Sequence, residues 1–114
     1  MDLNKFTIKM QEAVERANQF AGEEGHSELT SAHILIALLD QKEGVIRPLL
    51  EKLGISVQSV TSAMRDVLAK LPKAYGNVQR SLSQSCYQDL NQAEKIASSF
   101  KDEYTSAEHF LLAL

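Results

Sequence analysis

Apolar residues at the start of the chain recur at three- and four-residue steps. Phe6, Met10, Ala13, Val14, Ala17, Phe20 and Ala21 fall on one face of a helix. Thr7 can cap its start by accepting a free backbone N–H, and Gly22 with Gly25 can relax the chain past its last turn. The stretch from Leu29 to Leu39 is apolar on most sides behind Thr30, which predicts a short buried helix at the centre of its unit. Gly44 and Pro48 frame a third helix, where a proline is tolerable because N–H groups near a helix start lack intrahelical partners. The run Leu50-Glu51-Lys52-Leu53-Gly54-Ile55 reads as a Schellman stop, with Gly54 left-handed and Ile55 folding back on Leu50. Ser56 caps a fourth helix carrying Val57, Val60, Met64, Val67, Leu68 and Leu71, which Pro72 ends.

After a connector, Pro72-Lys73-Ala74-Tyr75-Gly76-Asn77, the pattern starts again. Leu82, Cys86, Leu90, Ala93, Ile96, Ala97 and Phe100 mark a fifth helix behind a Ser83 cap, and a sixth begins at Ser106. A shift of about 76 residues aligns the two halves without a gap, the signature of repeated structure. Thr7 falls on Ser83 and Thr30 on Ser106, while Ala17, Ala21, His33, Leu35, Ala37 and Leu38 fall on Ala93, Ala97, His109, Leu111, Ala113 and Leu114. Recurring caps and a recurring histidine go beyond what two amphipathic helices share by chance. The expected fold is all-α, a helical bundle of two pseudo-repeated units in one domain, 1–114. Unit one covers 1–71, the connector 72–80, and a truncated second unit 81–114. The first helix pair of each unit should superpose through an approximate two-fold relation.

Composition narrows the function. A hydrophobic content of 44% over 114 residues suffices for one modest core. The formal charge of -3 comes from basic and acidic residues mixed along the chain, so no basic stripe exists to neutralise a phosphate backbone, and nucleic acid is excluded as a partner. No apolar stretch approaches the roughly 20 residues of a bilayer span, and the N-terminus lacks the pattern of a secretory signal, so no membrane role and a cytoplasmic home are expected. A lone cysteine, Cys86, agrees with a reducing compartment.

Candidate chemistry is sparse. Cys86 sits on the apolar stripe of the fifth helix and reads as a small hydrophobe. His33 and His109 lack neighbouring ligands at metal spacing and read as residues of a helix first turn that hydrogen-bond locally; His26 reads as a loop residue. No glycine elbow surrounds a serine, no carboxylate pair stands out, and no phosphate-binding Gly-x-x-x-x-Gly-Lys-Ser/Thr occurs. The reading is therefore of a binding domain with no catalytic residue, no metal and no cofactor. Ile8, off the main stripe of the first helix, and Tyr104, in a loop beside Phe100, either line an exposed apolar groove or close the seam between the units.

The residues Phe6-Thr7, Ser31-Ala32-His33-Ile34-Leu35, Pro48-Leu49-Leu50 and Ala107-Glu108-His109-Phe110-Leu111-Leu112 together resemble the Clp N-terminal repeat domain, which precedes the ATPase modules of ring unfoldases. The Leu71-Pro72 stop, the Gly-containing connector and Val78-Gln79 are more similar to the ClpB disaggregase type than to the protease-coupled ClpC type. Ala32 departs from the glutamate that many relatives carry there. The resemblance implies a substrate-recognition domain of an ATP-dependent protein disaggregase that captures unfolded or aggregated polypeptide. It also implies a parent that is hexameric, holds ATP and Mg in its ATPase modules and cooperates with a DnaK-type chaperone. Carried over by position, a polar trio of Thr7, Asp102 and Glu108 and a groove including Leu90, His109 and Phe110 would handle substrate. Thr7 and Glu108 also have structural explanations, as a cap and as a first-turn carboxylate favoured by the helix dipole. The alternatives are a ClpC- or ClpA-type domain that binds adaptors or modified arginines for a protease, and a free-standing helical regulator.

Leu114 aligns with Leu38, inside the second helix of unit one. The repeat thus implies that the natural protein continues for roughly 30 residues. It also implies that the outer face of the last two helices, including Phe110, Leu111 and Leu114, would be covered by another chain or partly disordered in this form.

Overall fold

A computed structural model describes residues 2–74 and 80–114. The connector residues Tyr75, Gly76, Asn77, Val78 and Gln79, which carry much of the likeness to the ClpB type, lie outside the described residues. Among the described residues six α-helices follow a short 3-10 turn at Leu3–Lys5: α1 (Ile8–Glu23), α2 (Ser31–Asp40), α3 (Ile46–Lys52), α4 (Val57–Ala69), α5 (Gln84–Ser99) and α6 (Ala107–Ala113).

Each helix of the repeat starts where its cap dictates. Thr7, Thr30, Ser83 and Ser106 all have extended backbone, and each side chain accepts the N–H three residues on, at Met10, His33, Cys86 and His109. Helix α1 buries Met10, Ala13, Ala17 and Ala21, and α5 buries Cys86, Leu90, Ala93 and Ala97, so that Met10, Ala17 and Ala21 recur one repeat later as Cys86, Ala93 and Ala97. The alanines let the partner helix approach closely. Helix α2 buries every residue from Ala32 to Leu39 and forms the centre of unit one, packed on by α1, α3 and α4. Helix α4 ends at Ala69, slightly before the Pro72 stop, and buries only Leu68 fully.

Three helices end in the same motif. After α3, Ile55 N–H donates to the Leu50 carbonyl at 2.9 Å and Gly54 N–H to Glu51 at 3.0 Å, with Gly54 at φ 76°. This is the Schellman geometry expected from the sequence. Gly25 repeats it after α1, with φ 74° and His26 N–H on the Ala21 carbonyl at 2.9 Å. After α5 the left-handed position is held by Lys101, φ 60°, with Asp102 N–H on the Ala97 carbonyl at 2.9 Å. A Cβ makes that conformation costly. Lys101→Gly should therefore stabilise the domain by about 0.5–1 kcal/mol, read as a shift in urea midpoint at unchanged slope. An unchanged or lowered midpoint would show that the turn is relaxed as it stands.

The sequence pattern does not announce how the units are joined. Strand β1 (Glu28–Leu29) pairs in parallel with β2 (Ser81–Leu82), Leu29 opposite Leu82, and Ser83 N–H donates to the Leu29 carbonyl at 2.9 Å. At the other end Phe6 bridges Thr105 in parallel, and Thr7 N–H donates to the Thr105 carbonyl, also at 2.9 Å. Phe6 and Leu82 are repeat equivalents, as are Leu29 and Thr105. Each unit thus lends its entry strand to the segment before the second helix of the other, the exchange that a two-fold relation produces. Helix α2 also meets α5 through Ser31, whose hydroxyl donates to Asp89 Oδ2 at 2.7 Å. The equivalent positions across the relation, Ala107 and Ala13, are buried and apolar.

One core cluster runs through both units, from Phe6, Met10 and Ile34 to Cys86, Leu90 and Phe110. The expectation that Phe110 would lie on an uncovered face is overturned: its side chain is 0% exposed. Leu111 and Ala113 also pack against the core, while Leu112 and Leu114 on the other side of α6 are exposed. Seven residues make two helical turns, and only one side of them faces the bundle.

Candidate functional site

The parallel bridge at Phe6 and Thr105 brings two helix starts side by side. Thr105 is buried and held from both directions: its carbonyl accepts from Thr7, and its N–H donates to the Lys5 carbonyl at 2.8 Å. Thr7 caps α1 and Ser106 caps α6, so the N-termini of both helices open on one region. Glu108 lies exposed in the first turn of α6. Asp102 leads into the same segment.

His109 ties these groups together. Ser106 N–H donates to His109 Nδ1 at 2.8 Å, which completes a capping box with histidine in the place usually held by Glu or Gln. Since Nδ1 accepts, the ring proton sits on Nε2, which donates to Asp102 Oδ2 at 2.8 Å. Asp102 is thereby oriented while its side chain stays half exposed. Around this polar centre Ile8, Phe100 and Tyr104 are all exposed. The seam reading for Ile8 and Tyr104 is therefore corrected: Ile8 on α1 and Tyr104 beside the bridge face outward. A cavity of about 220 Å³ adjoins the centre, between Lys5, Glu94, Asp102, Glu103 and Thr105.

Of the residues read as site candidates, Thr7, Asp102, Glu108 and His109 are gathered by this geometry. Leu90 and Phe110 are not on its surface, since both are 0% exposed and belong to the core. They support the site from below. Lys5 and Thr105 were missed, because a two-residue bridge across units leaves no periodic trace in sequence.

Unit one carries the counterpart of the histidine arrangement. Thr30 N–H donates to His33 Nδ1 at 2.9 Å, so His33 Nε2 carries the proton and donates to His26 Nδ1, also at 2.9 Å. His26 occupies the repeat position of Asp102. It lies in the segment between α1 and β1, as its neighbours suggest, but it is buried, and its Nε2 has no hydrogen-bond partner among the described residues. Both ring nitrogens of His33 are spent on capping and on His26, which gives this histidine a structural role. Burial, and after it the facing His26, lowers the His33 pKa from 6.5 to about 4. Cys86 is fully buried; burial pushes its thiol up, the Ser31 hydroxyl pulls it partly back, and Asp89 raises it further. The thiolate needed for nucleophilic chemistry is thus disfavoured.

The fold and this geometry define a class: a helical module made of two units that exchange entry strands. Residues 5–114 match the family profile described as the Clp repeat (R) N-terminal domain, and the chain belongs to that family. It is 36% identical over 115 residues to the chaperone protein ClpB of Mycobacterium tuberculosis, covering 100% of this chain and 14% of that protein. The N-terminal domain (1-163) of the ClpV1 ATPase from E. coli superposes with a TM-score of 0.89 at 27% identity, over 98% of this chain and 68% of that one. A ClpV N-domain solved in complex with a VipB peptide shares the fold, with a TM-score of 0.84 at 22% identity, over 97% of this chain and 68% of that one. The chain spans about one seventh of the length of the ClpB relatives it matches. Among the described residues no helix is long and apolar enough to cross a membrane.

Proposed function

We infer that this chain is the substrate-recognition domain of a ClpB-type protein disaggregase and binds exposed segments of unfolded or aggregated polypeptide. The observation that carries the reading is the convergence of two capped helix starts on Thr7, Asp102 and Glu108, ringed by exposed Ile8, Phe100 and Tyr104. Helix N-termini offer free N–H groups, the carboxylates attract cationic side chains, and the apolar ring covers hydrophobic ones. This mixture suits extended chain of varied sequence. Its ClpB relatives are named as chaperones, and a ClpV N-domain of the same fold was solved with a peptide.

Catalysis then belongs to the remainder of the parent: a cytoplasmic, hexameric ring whose ATPase modules hold ATP and Mg and which cooperates with a DnaK-type chaperone. Six copies of a weak site gain avidity without tight individual contacts. A titration of the 15N-labelled chain with reduced, carboxymethylated α-lactalbumin, a permanently unfolded protein, tests the site. Amide shifts are expected at Thr7, Ile8, Asp102, Tyr104 and Glu108, with affinity falling about threefold to tenfold in the combined variant I8S/E108A. Both substitutions are on exposed positions, so the fold persists. Shifts confined to α3 and α4 would refute the reading.

A further inference from the structure

A second recognition site lies in unit one, away from the convergence of α1 and α6. Helices α1 and α4 flank α2 and leave a groove between them, with a cavity of about 290 Å³. Its floor is apolar: Phe20 from α1 and Leu68 with Ala69 from α4, continuous with the small cluster of Ala32, Ile36 and Leu68 beneath. Its rim is charged, with Arg65, Lys73 and Glu24. Neither cation is in an ion pair among the described residues. His26, 4% exposed, lines the cavity as well.

The histidine relay fixes what His26 presents. Thr30 N–H occupies His33 Nδ1, so His33 donates from Nε2 into His26 Nδ1, and neutral His26 must carry its own proton on Nε2. That N–H has no acceptor among the described residues. Buried donors are nearly always satisfied, so an orphan beside a cavity with two unpaired cations points to an absent acceptor of negative charge. Glu24 reduces the rim to a single net positive charge, which suits a monoanion better than a phosphate dianion. The apolar floor requires that the anion carry a hydrophobic group close by. A cavity of this size holds about one residue.

We propose that the α1–α4 groove binds the C-terminal residue of a partner polypeptide, its apolar side chain on Phe20 and Leu68 and its α-carboxylate between Arg65, Lys73 and His26 Nε2–H. A terminal residue carries its carboxylate and its side chain on one Cα, whereas an internal acidic residue presents a carboxylate with no apolar group of its own. The site is independent of the reading above: it shares no residue with the Thr7, Asp102 and Glu108 region.

The test uses three probes on the 15N-labelled chain: N-acetyl-Leu-Leu with a free carboxylate, its C-terminal amide, and N-acetyl-Leu-Asp-Leu-amide. The free acid should shift the amides of Phe20, Leu68 and Ala69 and move the His26 ring Nε2–H downfield, saturating at about millimolar concentration. The amide and the internal acid should bind about tenfold more weakly, and R65Q/K73Q should reduce binding of the free acid by about the same factor. Both substituted positions are exposed, so their loss leaves the core intact. Equal binding of acid and amide, or an unmoved His26 ring, would overturn the proposal. Equal binding of the internal acid would overturn the assignment to a chain terminus. Shifts mapping to Thr7 and Glu108 instead would also sink it while leaving the unfolded-client reading standing.

Discussion

Phe110→Ala should cost the domain about 3–5 kcal/mol, the range for removing a fully buried aromatic ring from a core that cannot collapse around the void. Phe110 is 0% exposed and packs in the cluster that also holds Phe6, Met10, Cys86 and Leu90. Its place at the first turn of a seven-residue helix sharpens the effect. Helix α6 is too short to persist on propensity, and it depends on the buried side of Ala107, His109 and Phe110 to stay docked. For a domain of this size such a loss lowers the melting temperature by about 15 °C or more. Isotropic loss of order would begin at the bridge, since Thr105 and the Ser106 cap lie directly before the ring. Fast hydrogen exchange at Thr7 and Thr105 N–H is therefore expected in the variant before α3 and α4 are affected. Loss of client binding by Phe110→Ala would follow this loosening and would not by itself place the ring in contact with a client. A melting temperature within 3 °C of the parent would show that the interior position of Phe110 carries little of the fold.

The elements were legible because each is punctuated by local chemistry. Hydroxyl caps at Thr7, Thr30, Ser56, Ser83 and Ser106 stand where helices start, and Gly54 stands where one stops, so boundaries could be read without tertiary information. The joining of the units was not legible. Paired segments of two residues carry no alternation, and the equivalence of Phe6 with Leu82 and of Leu29 with Thr105 acquires meaning only when each is seen on the other unit's strand. Periodicity correctly marked Leu90 as part of an apolar face. It could not say that this face is sealed against α6 and not offered to a groove. His26 is the opposite case. Its polar neighbourhood beside Gly25 marks the loop it occupies but not its burial; the repeat offset sets it on Asp102, and the structure shows both side chains reaching the histidine of their own capping box. Residues aligned by a repeat share a geometric task even where chemistry differs.

Acidification from pH 6.5 to pH 4 should remove about 2–3 kcal/mol of stability through His33 alone, given a folded pKa of about 4 against an ordinary 6.5. The sign follows from proton counting. In this window the unfolded chain protonates His33 and the folded chain does not, so the unfolded state binds more protons and stability rises with pH. The contribution is whole above pH 6.5 and is lost as pH falls toward 4. The cause is visible in the ring's contacts. Burial withholds water from an imidazolium, and the partner of Nε2 is His26 Nδ1, an imidazole where unit two offers the Asp102 carboxylate to His109. Protonation would also turn Nδ1 from an acceptor into a donor facing the Thr30 N–H at 2.9 Å, which breaks the capping box at the start of the most buried helix. His33→Gln separates this effect from the titration of surface carboxylates. Glutamine is the usual residue at that place in a capping box, its amide oxygen can accept the Thr30 N–H, and it does not titrate. Urea unfolding of the parent and the variant at half-unit steps should give a steeper loss for the parent, while both lose the same carboxylate contribution. Parallel curves between pH 6.5 and pH 4, or a charged His33 ring by 15N NMR in the folded chain at pH 5.5, would show that the buried histidine pair is not what makes unit one sensitive to acid.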